Sequence, residues 1–129
     1  MGPNGYPRAM RDTRVDLESS GASGEIPTAT FTRVDTIGDF CVLEVRGDLD
    51  IAVSAALGRE LDGLLATGLD RVGIDLSRVM FMDSSALSAL IHAHERAREQ
   101  GRRLELLRPS PACTKILGIT GLDRVFDVR

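Results

Sequence analysis

The apolar positions change their spacing several times along the chain, and each change marks an element. Phe31, Val34 and Ile37 suggest a first strand, Gly38-Asp39 a turn, and Phe40 to Arg46 a second strand that completes a hairpin. Cys41, Leu43 and Val45 share one face of that strand by the period of two. Gly47-Asp48-Leu49-Asp50 reads as an acidic turn. From Val53 to Thr67 the spacing becomes helical, with Leu57, Leu61, Leu64 and Leu65 on one stripe and Gly68 placed to end it. Val72 to Leu76 is a short strand, followed by a loop from Ser77 to the apolar run Met80-Phe81-Met82. The helix predicted after Asp83 carries Leu87, Leu90, Ile91, His94 and Ala97 on one face, and Gly101 closes it. Its other side is Glu95, Arg96, Arg98 and Glu99. Leu104 to Leu107 is a further strand. Ser110-Pro111 opens a last helix as cap and first helical residue, turning Ile116, Leu117 and Ile119 inward. Leu122, Val125, Phe126 and Val128 complete the core, with a final short strand among them.

Strand, helix and strand recur twice in this order, which predicts right-handed crossovers and a mainly parallel sheet behind one antiparallel hairpin. Residues 1–28, rich in Gly, Pro and Ser, bury too little to offset their ordering entropy and are expected to be a flexible extension. The folded domain is expected over 29–129. With 129 residues, 43% of them hydrophobic, the chain can build one core. A net charge of -3 and 4% aromatics argue against a nucleic-acid surface. No apolar stretch approaches the length of a membrane span, and the start of the chain lacks a signal-type apolar core, so a cytoplasmic location is expected. Cys41 and Cys113 read as two buried hydrophobes, or as a redox-sensitive pair. Cys113 falls in the first turn of the last helix, where a thiolate would be favoured.

Three constellations are candidates for chemistry. Asp48 and Asp50 follow a strand in a pattern that weakly resembles the DxDx(T/V) loop of haloacid-dehalogenase-like phosphotransferases. Two carboxylates there suit magnesium or, equally, a helix start. Those enzymes need a distant lysine, and Lys115 is the one lysine available. His92 and His94 lie two apart, so a helix points them about 200° from each other and they cannot chelate one ion. No metal site, cofactor site or complete catalytic set is expected. The third is Asp83-Ser84-Ser85, at a strand-to-helix junction where N–H groups and the positive end of a helix dipole are exposed. A hydroxyl there can cap the helix or carry a phosphate, and the residue types alone leave both open.

The frame Ile74-Asp75-Leu76-Ser77, Phe81-Met82-Asp83-Ser84-Ser85-Ala86-Leu87 resembles the signature of the anti-sigma factor antagonists of the STAS domain family. Gly47-Asp48-Leu49-Asp50, Pro109-Ser110-Pro111-Ala112 and Thr120-Gly121-Leu122-Asp123-Arg124-Val125-Phe126 extend the likeness over 29–129. The resemblance implies a STAS fold: a mixed, mostly parallel sheet of four to five strands packed with three to four helices. It implies a non-enzymatic protein in which Ser84 is the phosphoacceptor. The implied partners are an anti-sigma factor serine kinase of the histidine-kinase-like ATPase type and a serine phosphatase. Such proteins free a sigma factor for transcription by partner switching, in processes such as stress response and sporulation. The implied partner surface is Asp48, Asp50, Asp83, Ser84, Ser85, Ala86 and Ser88. Ala86 stands where the family usually has glycine, and its methyl is expected to narrow the approach of the kinase backbone. STAS modules also serve as scaffolds, as ligand-binding domains and in lipid-transport systems.

Overall fold

The computed structural model describes residues 12–14, 28–35, 38 and 40–129. Six strands form one sheet in sequence order: β1 (Asp12–Arg14), β2 (Ala29–Asp35), β3 (Phe40–Leu49), β4 (Arg71–Met82), β5 (Arg103–Leu107) and β6 (Asp127–Val128). β2 runs antiparallel to both β1 and β3, while β3, β4, β5 and β6 are parallel neighbours. Helices α1 (Ile51–Ala66), α2 (Ser84–Glu99) and α3 (Pro111–Thr120) make the crossovers, and a 3-10 turn (Leu122–Arg124) leads into β6. The expected mixed, mostly parallel sheet is present, with the expected short final strand, β6, at one edge and one further short strand, β1, at the other. β1 lies within the expected extension of 1–28; apart from it and Thr28, that extension lies outside the described residues.

One continuous core fills the space between the sheet and the three helices. Leu43, Val45 and Leu49 of β3 meet Ile74, Leu76, Val79 and Met82 of β4 and Leu104 and Leu106 of β5. The helices contribute Leu57, Leu61 and Leu64, then Leu90, Ala93 and Ala97, then Cys113 and Leu117. The α1 stripe alone buries Val53, Ala56, Leu57, Leu61, Leu64 and Leu65, and truncating one such leucine costs about 2–5 kcal/mol.

Four expectations need correction. The acidic turn expected at 47–50 is strand as far as Leu49, and the loop expected from Ser77 up to the Met80-Phe81-Met82 run is strand throughout. β3 continues to Leu49 and β4 to Met82, because β4 absorbs one extra residue opposite Val45 and another between Val79 and Phe81. These bulges break the period of two, so Ser77 and Arg78, and again Met80 and Phe81, are exposed in succession. Gly47 permits the bend with φ +100, and a Cβ there would lie 2.3 Å from the Thr28 carbonyl oxygen. At the C-terminal end, Ile119, Val125 and Val128 are exposed, whereas Phe126 is buried. Ile119 projects away because α3 buries only the stripe through Cys113 and Leu117.

The other face of the sheet is close-packed around Gly73, where a Cβ would meet Leu107 Cδ1 at 2.7 Å and Phe40 Cζ at 3.1 Å. It also holds three buried acids that the sequence reading treated as ordinary strand positions: Glu44, Asp75 and Glu105. Arg71 spans both oxygens of Glu105 at 2.9 and 3.1 Å while its guanidinium stacks 4.4 Å over Phe40. Arg108 donates to Asp75 at 2.6 Å. Asp75 and Glu105 thus each have an arginine partner, which the desolvation of a buried charge demands.

Candidate functional site

β3 and β4 are parallel neighbours and each runs directly into a helix. The N-termini of α1 and α2 therefore emerge side by side at one end of the sheet. Leu49 pairs with Met82, and the Asp83 N–H donates to the Leu49 carbonyl at 3.1 Å. The next residue on each strand, Asp50 and Asp83, is in each case the helix N-cap.

Asp83 satisfies the start of α2. One carboxylate oxygen accepts from the Ser85 N–H at 3.0 Å, the Ala86 N–H at 3.1 Å and the Ser85 hydroxyl at 2.6 Å. The Ser85 hydroxyl, then the Ala86, Ser85 and Ile51 backbone N–H groups, hold its carboxyl below the usual aspartate range against the opposing effect of partial burial. The Ile51 contribution ties the cap of α2 to the first turn of α1. Asp50 plays the same part for α1, accepting from Ala52 N–H at 3.0 Å and from the Thr28 hydroxyl at 3.2 Å. Asp48 is half-exposed on β3 opposite Phe81, and its backbone N–H donates to the Thr28 carbonyl at 2.8 Å.

This geometry separates the two serines. Ser85 is committed to Asp83, whereas Ser84, the first residue of α2, is exposed and its hydroxyl has no hydrogen-bond partner among the described residues. Ser88 is exposed one turn further along, on the same side as Ser84. Ala86 does not belong to this surface. It is fully buried, the first member of the inward stripe Ala86, Leu90, Ala93 and Ala97, so its methyl faces the core and not an approaching partner.

Sequence reading missed an exposed apolar set at the same end of the molecule. Ile51 is 77% exposed, Met80 74% and Phe81 50%. The signal was present in the continuous run 79–82, since four apolar residues on one strand cannot all face one core. The bulge decides which pair turns outward.

The remaining candidates do not assemble. Among the described residues no group of three or more His, Cys, Asp or Glu side chains could hold a metal ion. His92 is exposed and His94 half-buried against Phe126, with ring centres 5.3 Å apart. Cys41 and Cys113 are both buried thiols. Burial pushes the Cys113 thiol up, outweighing the Ser110 hydrogen bonds that lower it, so its place in the first turn of α3 yields no thiolate. Cys41 is level with Val72, whereas α3 starts beside Leu76, about 13 Å further along β4 at the rise of a strand. No helix among the described residues is long and apolar enough to cross a membrane.

The family model described as Mlab, STAS domain, matches residues 32–128. An anti-sigma factor antagonist from Mycobacterium paratuberculosis has a similar structure with a TM-score of 0.70, 26% identity, and coverage of 78% of this chain and 84% of its own. The anti-sigma factor antagonist SpoIIAA in its unphosphorylated form matches with a TM-score of 0.65 and 20% identity over 77% of this chain and 87% of its own. SpoIIAA of Bacillus in its phosphorylated form matches with 0.61 and 21% over 77% and 90%. With its sheet order, its three helices and a family match over three quarters of its length, the chain belongs to the STAS domain family.

Proposed function

We propose that the chain is an anti-sigma factor antagonist that acts in the cytoplasm and is switched at Ser84. Unmodified, it binds an anti-sigma factor serine kinase of the histidine-kinase-like ATPase type and so releases a sigma factor for transcription. The kinase phosphorylates Ser84 and the complex dissociates; a serine phosphatase restores it. The observation that carries this reading is the exposed Ser84 hydroxyl, without a hydrogen-bond partner among the described residues, beside a Ser85 hydroxyl already bonded to Asp83.

A phosphate on Ser84 would sit at the N-terminus of a 16-residue helix, where backbone N–H groups and the dipole favour an anion. The fold therefore survives modification, as it does in SpoIIAA, whose phosphorylated form matches the same architecture. The partner feels the change. About −1.5 to −2 charges join Asp83, Asp48 and Asp50 on a surface whose apolar members, Ile51, Met80 and Phe81, favour a desolvated contact. Like charges brought together across such a contact cost several kcal/mol, and each ~1.4 kcal/mol is tenfold in affinity. The switch acts at the interface and not by unfolding.

Incubation with the cognate kinase, ATP and magnesium, followed by mass spectrometry, should place one phosphate on Ser84 and none on Ser84→Ala. Phosphate on Ser85 or Ser88 instead would overturn the assignment.

A second reading keeps this surface and changes the partner, to a scaffold or ligand-binding role in another signalling or lipid-transport system. It is favoured by the matching family model, which is described by Mlab and not by a sigma pathway. Failure to bind any anti-sigma kinase, together with direct binding to a purified transporter subunit, would select it.

A further inference from the structure

A second polar site lies at the opposite end of α2, about 20 Å from Ser84 at the helical rise per residue. An open cavity of about 200 Å³ is lined by His94, Arg98, Arg102, Arg103, Leu104 and Asp127. In a chain of net charge -3, this wall gathers three guanidinium groups against one carboxylate.

The arginines are not consumed by the fold. Arg102 uses one nitrogen, Nη1, on the Leu65 carbonyl at 2.7 Å, where it closes the C-terminal end of α1. Arg103 approaches Asp127 at 3.7 Å, and Asp127 is shared with Arg129 at 3.3 Å. Arg98 has no ion pair among the described residues, although Glu95 and Glu99 flank it on its own helix. Arg96, its neighbour, is by contrast paired with Asp62. His94 forms the inner wall. Its Nδ1 is buried without a partner among the described residues, and burial, then the charge of Arg98, lowers its pKa, leaving the ring neutral near pH 7. The lining residues thus carry an excess of two positive charges, with Glu95 and Glu99 beside Arg98 outside the lining, and guanidinium forks match phosphate oxygens in geometry as well as charge.

We propose that this cavity binds a phosphate dianion, free or carried on a small ester, with Arg98 and Arg103 as the principal ligands. The volume admits a phosphate bearing a short polyol. The site is independent of the Ser84 surface and stands whichever partner that surface takes.

The test is a titration of ¹⁵N-labelled full-length protein with inorganic phosphate, ribose 5-phosphate and, as controls, ribose and sodium chloride at matched ionic strength. Saturable shifts confined to His94, Arg98, Arg103 and Leu104 are expected with phosphate-bearing probes and not with the controls. Tighter binding of the ester than of phosphate would identify a small-molecule ligand, and equal binding would identify free phosphate. Arg98→Gln is exposed and should fold normally, weakening binding at least tenfold; Arg103→Gln should do the same. The proposal is overturned by shifts that do not saturate, that chloride reproduces, or that persist unchanged in both variants while their thermal unfolding matches the parent.

Discussion

Asp83→Ala removes one acceptor that serves three donors at the start of α2: two backbone N–H groups and the Ser85 hydroxyl. Loss of an N-cap costs about 0.5–2 kcal/mol. The upper half applies here, because three donors lose their acceptor, yet the half-exposed site lets water recover part of the loss. We expect about 1.5 kcal/mol, which for a domain of this size lowers Tm by roughly 6–12 °C. Asp83→Asn keeps an acceptor oxygen and should lose only part of this. The two variants also separate the charge from the cap. The Asp83 carboxyl is held below its ordinary value in the folded state. Its charged form therefore contributes stability that is fully present above the unfolded pKa of about 3.9 and is lost as pH falls through the lower folded value. Urea unfolding from pH 7 down to pH 2 should show the parent more stable than Asp83→Asn by a constant margin above about pH 5, shrinking below about pH 4. An Asp83→Ala variant within about 0.3 kcal/mol of the parent, or parent and Asp83→Asn curves that stay parallel throughout, would refute the reasoning.

Ala86→Gly should destabilise the fold by about 1–2 kcal/mol in urea unfolding, through helix propensity and a lost buried methyl. The rate of Ser84 phosphorylation should not change, since that methyl faces the core. Gly73→Ala should cost about 1–3 kcal/mol by calorimetry, because the new Cβ meets Leu107 and Phe40. Thiol titration of the native protein should find neither Cys41 nor Cys113 reactive within minutes, and both reactive after denaturation.

The alternation of strands and helices was legible because each helix is amphipathic and each is bounded by its own signal. Ser110-Pro111 is the clearest case, with the Ser110 hydroxyl accepting from Cys113 N–H at 3.2 Å as its pattern predicts. The strand-to-helix junction at Asp83 was equally legible, since an acid just before an amphipathic segment is a common N-cap pattern, and Asp83 takes that place. What could not be read was the second half of β4. Two bulges hide its strand character by breaking the alternation that identifies a strand, and they alone decide that Met80 and Phe81 face outward. The burial of Ala86 was legible and was passed over. It lies four residues before Leu90, an inward position of the predicted helix, and so shares its face. The buried acids Asp75 and Glu105 stood inside apolar strands in plain view. Their partners, Arg108 and Arg71, lie 33 and 34 residues away, so only the sheet register unites them.

The proposed switch at Ser84 alters an interface without disturbing the fold. The decisive measurement is anti-sigma kinase binding to the unmodified and the Ser84-phosphorylated protein by calorimetry, with thermal unfolding of both forms alongside. Phosphorylation should reduce affinity at least a hundredfold, about 3 kcal/mol, with Tm unchanged within a few degrees. Equal affinity for the two forms, or a loss of binding matched by a collapse in Tm, would contradict it.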